Sequence, residues 1–310
     1  MRVFRGYSRS VPAPVALAIG NFDGVHLGHA ALIGRLTDVA RQHGLTPAVL
    51  SFEPHPREFF KPASAPARLS TLREKLELLS DSGVTQAMIC PFNQAFAALT
   101  AEQFVERVLV RALQVRHLVI GDDFRFGQGR VGDFALLQDA GKRHGFVVEA
   151  MGSVTVDGER VSSSGVRRAL AVGDMELAAR LLGRPYMIDG QVSHGQKLGR
   201  QLGFATANLR IKHNPLPMAG VFAVEVAGLA DKPLPGVANL GIRPTVGGTR
   251  PLLEVHLFDF DRDIYGAHIS VRFVHKLRDE QRFPNFDALK AQIAADAAAA
   301  RAFFVSTQNG

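Results

Sequence analysis

The sequence predicts a doubly wound α/β domain followed by a smaller antiparallel β domain that closes on a helix. Three observations carry that reading. Over roughly the first 150 residues, short apolar runs alternate with amphipathic stretches of helical period, the pattern of βαβ units on a parallel sheet. After about residue 184 the runs become short, alternating and broken by Gly and Pro, which suits an antiparallel sheet or small barrel. The final stretch "NFDALKAQIAADAAAARAFF" is rich in alanine and holds no breaker, so it reads as a helix with Asn285 as its cap.

In order, "VALAIG" is a buried strand and "HAALIGRLTDVARQHG" an amphipathic helix stopped by Gly44. "TPAVLSF" is the next strand. "TLREKLELLSDSG" (helix), "QAMICPF" (strand), "TAEQFVERVLVRAL" (helix capped by Thr100), "VRHLVIG" (strand), "DFALLQDAGKRHG" (helix) and "FVVEAM" (strand) complete the first half. "SSSGVRRALAVGDMELAARLLGRPY" reads as two short helices ending at Pro185, which places the domain boundary there: residues 1–184 and 185–310. Five alternating strands follow, "YMIDGQVSHG", "GVFAVEVAGL", "LPGVANLGI", "LLEVHLFDF" and "AHISVRFVHKL".

Composition narrows the function classes. The single cysteine, Cys90, excludes an internal disulfide and a cysteine-clustered zinc site, and so predicts a reducing, cytoplasmic setting. No apolar run reaches the ~18 residues of a membrane span, and the N-terminal stretch does not resemble a secretory leader. The formal charge of +7 and pI near 9.9 favour an anionic partner. The basic residues are scattered rather than clustered among aromatics, which points to small phosphorylated molecules and away from nucleic acid. Nothing predicts an oligomer.

The densest motif is "AIGNFDGVHLGHAALIGRL", placed where a parallel strand gives way to a helix. Gly20 and Gly24 let the backbone approach a phosphate, and the helix beyond offers free N–H groups to it. His26 and His29, three residues apart, share one helical face and can donate to phosphate oxygens. A metal pair and a merely structural turn remain alternatives. "GQGRVG", residues 127–132, matches GxGxxG with Glu149 further on, but "DDFRF" separates it from the preceding strand, which argues against a dinucleotide site. No GxxxxGK[ST] loop occurs. In "GQKLGRQLGFATANL", Thr206 and Asn208 point to one side of an extended segment and carry hard oxygen ligands suited to Mg²⁺ with a nucleotide.

The run "NFDGVHLGH" resembles the signature of the HxGH adenylyltransferase superfamily in its bacterial FAD synthetase form, and "SFEPHP", "GDDFRFGQGRVGD" and "SSSGVRRAL" recur in that family's order. "GRQLGFATANL", "GVANLGIRPTVGG", "LEVHLFDFDRDIYG" and "KLRDEQRFPNFDALKAQI" resemble a riboflavin kinase domain. The resemblance spans residues 15–305 and implies a Rossmann-like nucleotidyltransferase domain ahead of a small antiparallel barrel with a trailing helix. It implies conversion of riboflavin and ATP to FMN, then of FMN and ATP to FAD and pyrophosphate, with Mg²⁺. In the first domain it assigns ATP to Gly20, Asn21, Phe22, Asp23, Gly24, His26, Gly28, His29, Ser162, Ser163, Ser164 and Arg167. It assigns flavin to Asp123, where the family often has Asn, and to Phe124 and Arg125. In the second it assigns ATP to Gly195, Lys197, Gly199, Thr206 and Asn208, the base to Glu254, and flavin contacts to Arg278 and Phe283. The family's PTAN reads "ATAN" here; Ala205 removes a fixed φ but no ligand. The rivals are a transferase for another phosphorylated metabolite and a single-strand nucleic-acid binder.

Overall fold

The computed structural model describes residues 1–8, 10–193, 204–213, 215–245 and 248–308, except the side chains of 243–245, 248–250 and 308. Its backbone contacts group into two compact units, one of Met1–Pro66 with Leu72–Ser162 and the other of Ala67–Thr71 with Ser163–Gly310.

Unit one is a six-stranded sheet of β1 (Arg2–Arg5), β2 (Val15–Ile19), β3 (Thr46–Glu53), β4 (Gln86–Pro91), β5 (Val115–Gly121) and β6 (Val147–Met151), with a separate two-stranded pair of β7 (Thr155–Val156) and β8 (Glu159–Arg160). The strands of the sheet lie in the order β1-β4-β3-β2-β5-β6, and every pairing among them is parallel. Its helices are α1 (Leu27–His43), α2 (Pro56–Phe60), α3 (Leu72–Asp81), α4 (Gln94–Ala97), α5 (Ala101–Phe104) and α6 (Phe134–His144). The central strand β2 is apolar along its whole length because both faces of the sheet are covered there. Alternation sends Leu17 and Ile19 of β2 into one core with Leu50, Leu109 and Leu118, and Ala16 and Ala18 into another with Ile33, Leu36 and Leu79. Cys90 on β4 lies fully buried in the first core, and burial pushes its thiol up to about 12.

Two details depart from the sequence pattern. β1 pairs with β4 although two of its four residues are arginine. The helix capped by Thr100 keeps α geometry only through Phe104 and runs to Ala112 as π-helix, with Val105, Val108, Leu109 and Ala112 on its buried side.

Unit two begins with α7 (Ser163–Val172) and α8 (Met175–Leu182), then forms a closed barrel. The strands are β9 (Tyr186–Ser193), β10 (Ala207–Arg210), β11 (Gly220–Ala227), β12 (Leu234–Thr245), β13 (Gly248–Leu257) and β14 (His268–Arg278). They close in the order β10-β13-β12-β11-β14-β9 with antiparallel pairing throughout. Phe222, Val224, Leu253, Val255, Val271 and Phe273 fill the interior. The terminal helix α9 (Phe286–Gln308) lays Ala297 and Ala300 on the outer side of β11 and β12, over Val221, Ala223 and Val237. Asn285 caps it, accepting the Ala288 N–H at 2.9 Å. α8 packs on β9 and β14, so by contact both helices before Pro185 join the barrel.

Candidate active sites

In unit one the strand order reverses between β2 and β5, and the loops leaving these strands flank the crevice where open α/β sheets take ligands. Residues 20–26 make the turn from β2 into α1. Phe22 at φ 48° and Val25 at φ 41° hold left-handed backbone that aromatic and β-branched residues rarely adopt, beside Gly24 at φ 80°. Such strain, on the order of 1–3 kcal/mol per residue, persists where the surroundings over-determine it. Here the determinant is packing. The Phe22 ring is fully buried, and a Cβ at Gly20 would stand 3.3 Å from it.

His26 caps α1, its Nδ1 accepting the His29 N–H at 3.3 Å, so the neutral ring carries its proton on Nε2. The His26 and His29 rings stack with centroids 3.7 Å apart, and Phe22 closes on His29 at 5.1 Å. A Cβ at Gly28 would come within 3.2 Å of the His26 ring. Asp23 is buried in the same turn. Burial first, then the His26 imidazole and the Lys75 ammonium, hold His29 well below the usual imidazole range. Its Nδ1 is buried without a hydrogen-bond partner among the described residues. Two imidazoles at the N-terminus of a long helix make a site for anions. Among the described residues no three His, Cys, Asp or Glu side chains gather as a metal-ligating group.

Gly20 and Asn21 also border a cleft of about 1220 Å³. Phe52, Phe60, Phe92, Phe96, Phe104, Phe124 and Phe126 wall it, with Arg57, Lys61, Arg125 and Arg130 among them. Aromatic walls carrying cations suit a flat, phosphorylated ring system. Asp123, Phe124 and Arg125 line this cleft. Asp123 accepts from Arg160 at 2.9 Å, and Arg125 pairs with Asp133 at 3.1 Å. Asp133 caps α6, and the Leu136 N–H, aided by Arg125, holds its carboxyl below the usual range. The other six phenylalanines and Arg57, Lys61 and Arg130 escape the sequence reading. The motif "SFEPHP" and the pair Phe59–Phe60 are the signals that could have found part of this wall.

The GxGxxG match does not build a dinucleotide turn. Phe126 pairs with Gly132 across a tight hairpin, and Glu149 is held by Arg35 at 2.6 and 2.9 Å and by His117 at 3.3 Å. Ser162 is the last residue of unit one, whereas Ser163, Ser164 and Arg167 open α7 in unit two. There Arg167 Nε donates to the Ala67 carbonyl at 2.6 Å.

In unit two, register sets Asn208, Glu254 and Asn239 side by side across β10, β13 and β12. All three face outward, since Leu253 and Val255 fill the interior. A cavity of about 290 Å³ takes in Thr206, Asn239, Glu254, Arg278 and Phe283, with apolar walls from Phe204, Val221, Val237, Leu289 and Ile293. A second, of about 200 Å³, lies under residues 260–265 and also touches Thr206. Thr206 is thus common to both. The backbone at Ala205 is held without proline, its carbonyl accepting from His256 Nδ1 at 2.9 Å while the Phe204 ring meets His256 edge-on at 5.3 Å. Arg278 is bound to Asp296 through two bonds of 2.8 and 2.7 Å and lies over Phe283 at 5.7 Å. Gly195, Lys197 and Gly199 lie outside the described residues. Asn239 is a site residue that sequence reading missed, because only strand register reveals it.

Residues 8–165 match the FAD synthetase family and residues 182–304 the riboflavin kinase family. The bifunctional riboflavin kinase/FMN adenylyltransferase of Escherichia coli strain K12 is 50% identical over 99% of both chains. That of Pseudomonas fluorescens is 52% identical over 92% of this chain and 91% of its own. A solved structure described as a macrolide-efflux protein from Streptococcus pneumoniae superposes with a TM-score of 0.84 at 28% identity, covering 97% of this chain and 99% of that one. With both halves matched and the full length aligned at this identity, the chain belongs to the family of bifunctional riboflavin kinase/FMN adenylyltransferases.

Proposed function

We propose that the barrel cavity phosphorylates riboflavin to FMN and that the parallel-sheet cleft joins AMP to FMN, giving FAD and pyrophosphate. The observation that carries this is the same in each unit: reactive polar groups meet one wall of an aromatic or apolar cavity. In unit one the flavin ring lies among the phenylalanines, with Asp123, Phe124 and Arg125 at its side. A phosphate oxygen of FMN attacks the α-phosphorus of ATP, and the bond to pyrophosphate breaks. The α1 N-terminus, His26 Nε2–H and the neutral His29 stabilise the charge that leaves, with no covalent enzyme intermediate. Gly20, Gly24 and Gly28 let the backbone come close, and Asn21, Phe22 and Asp23 hold the turn. Ser162 adds a hydroxyl at the end of this unit.

In unit two Glu254 takes the proton of the riboflavin 5′-hydroxyl as its oxygen attacks the γ-phosphorus of ATP and the bond to ADP breaks. Thr206, touching both cavities, marks where the phosphoryl group crosses from nucleotide to flavin. The donor set fits Mg²⁺: Thr206 and Asn208 offer hard oxygens two residues apart, with Asn208 beside Glu254. They would hold the ion with ATP, where it neutralises phosphate charge. We also infer a cytoplasmic location from the lone buried thiol, and the excess positive charge serves nucleotides rather than nucleic acid.

The test is to incubate the protein with riboflavin, ATP and Mg²⁺ and resolve flavins by chromatography with fluorescence detection. FMN followed by FAD is expected. FMN alone overturns the adenylyl half, and the absence of any flavin product overturns both.

A further inference from the structure

The carboxyl end of the parallel sheet holds a buried cation outside every motif that the sequence assigns to a ligand. α1 joins β2 to β3 and α3 joins β3 to β4, so both helices run back against parallel strands and start at the carboxyl end. The strand order β4-β3-β2 makes them neighbours on one face. Their shared core agrees: Leu32, Ile33 and Leu36 of α1 pack with Leu79 of α3 and with Phe22 and Val25 of the histidine turn. Lys75 is the fourth residue of α3 and shares a helical face with Leu72 and Leu79. Helical side chains lean toward the start of their helix, which here is the end where the histidines lie. Lys75 is only 5% exposed, and its charge reaches the pair, since after burial and the His26 ring it is what holds His29 low. A buried ammonium near the start of a helix gains nothing for stability, because burial and the positive end of the helix both oppose it. Beside two imidazoles the placement suits a polyanion.

The two faces of the sheet indicate which part of that anion Lys75 meets. The aromatic cleft draws Phe96, Phe104 and Phe126 from the first core, whereas Lys75 lies with the second. The histidine turn spans both, with Gly20 and Asn21 bordering the cleft and Phe22 and Val25 buried on the side of α3. In displacement at phosphorus the attacking and leaving oxygens lie in line on opposite sides. A flavin phosphate that enters from the cleft therefore drives the leaving group toward α3. We propose that the Lys75 ammonium binds the pyrophosphate end of ATP and stabilises its charge as the bond to the α-phosphorus breaks. No bond to Lys75 forms, and its proton stays in place. The inference rests on the proposed adenylyl transfer at the histidine pair and adds a catalytic cation to it.

Lys75→Met in the full chain keeps an apolar stem and removes the charge. It should slow FAD formation from FMN and ATP by on the order of 100-fold and leave FMN formation from riboflavin unchanged. In the reverse direction, from FAD and inorganic pyrophosphate, it should raise the pyrophosphate KM by about tenfold with the FAD KM unchanged. A lysine that only balanced a buried carboxylate such as Glu74 would not single out one KM. A second measurement uses the wild-type chain and so does not depend on the variant folding. Adenosine diphosphopyridoxal carries an aldehyde where the outer phosphates of ATP would lie, and borohydride fixes its adduct with a lysine. Peptide mapping should find Lys75 modified, and ATP should protect it. Undiminished FAD formation or an unchanged pyrophosphate KM in the folded variant, or an unmodified Lys75 in the labelled wild type, overturns the proposal. If the wild type makes no FAD from FMN and ATP, the adenylyl reading itself fails and this one with it.

Discussion

At the scale of single residues, the proposed function assigns the two activities separately, to His29 and to Glu254. His29→Ala is expected to abolish FAD formation while FMN formation continues, followed by chromatography of the same reaction. Glu254→Gln should lower FMN formation by roughly 10²–10⁴-fold with little change in riboflavin KM, the signature of a lost general base. His29 also ties stability to pH. Its folded pKa lies below its usual 6.5, so as pH falls past 6.5 the unfolded chain binds a proton that the folded chain refuses. Stability therefore declines toward acid by up to about 1.4 kcal/mol per pH unit, until the folded pKa is reached. Urea unfolding at pH 7.5 and pH 5.5 checks this, and the decline should shrink in His29→Ala. The histidine pair was legible because three-residue spacing at a strand–helix junction is local information. Asn239 was not, since only strand register puts it beside Glu254.

Among the elements, the tie between β14 and α9 matters most. Arg278, expected to contact flavin, is engaged by Asp296, whose Oδ1 also accepts from Gln292 at 2.9 Å. The side chains are 17% and 8% exposed, so the pair is shielded from water and from salt. Asp296→Ala leaves a buried guanidinium without its counter-charge and should lower the stability of unit two by about 3–5 kcal/mol in chemical denaturation. Because α9 walls the cavity proposed for riboflavin through Leu289 and Ile293, the riboflavin KM should rise as well. The alternation of strands and helices, the shift to short strands and the terminal helix were all readable, since each rests on periodicity within one segment. The short edge strand β1 was not, because pairing with β4 rather than its own composition makes it a strand. The phenylalanine cleft escaped for a similar reason. Its walls come from segments far apart in sequence, and in any one of them a phenylalanine reads as core.

Taken whole, the chain joins two folds that owe their order to different rules, a parallel sheet buried on both faces and a barrel closed on itself. The two activities should accordingly be separable in solution. A mixture of the His29→Ala and Glu254→Gln chains is expected to make FAD from riboflavin after a lag, FMN from the first being taken up by the second. Failure of two folded variants to complement would show that both groups serve one reaction. The change of pattern near residue 184 marks where the barrel strands begin, but not how contacts group the preceding helices, since α8 packs on strands it has not yet reached in sequence. One quiet position has a practical value. The chain has no tryptophan, and its lone thiol, Cys90, is sealed in the sheet and resists ionisation until about pH 12. A fluorophore or spin label attached to a newly introduced surface cysteine would therefore report from one known place, without first deleting the native residue, and an introduced indole would be the only one in the spectrum.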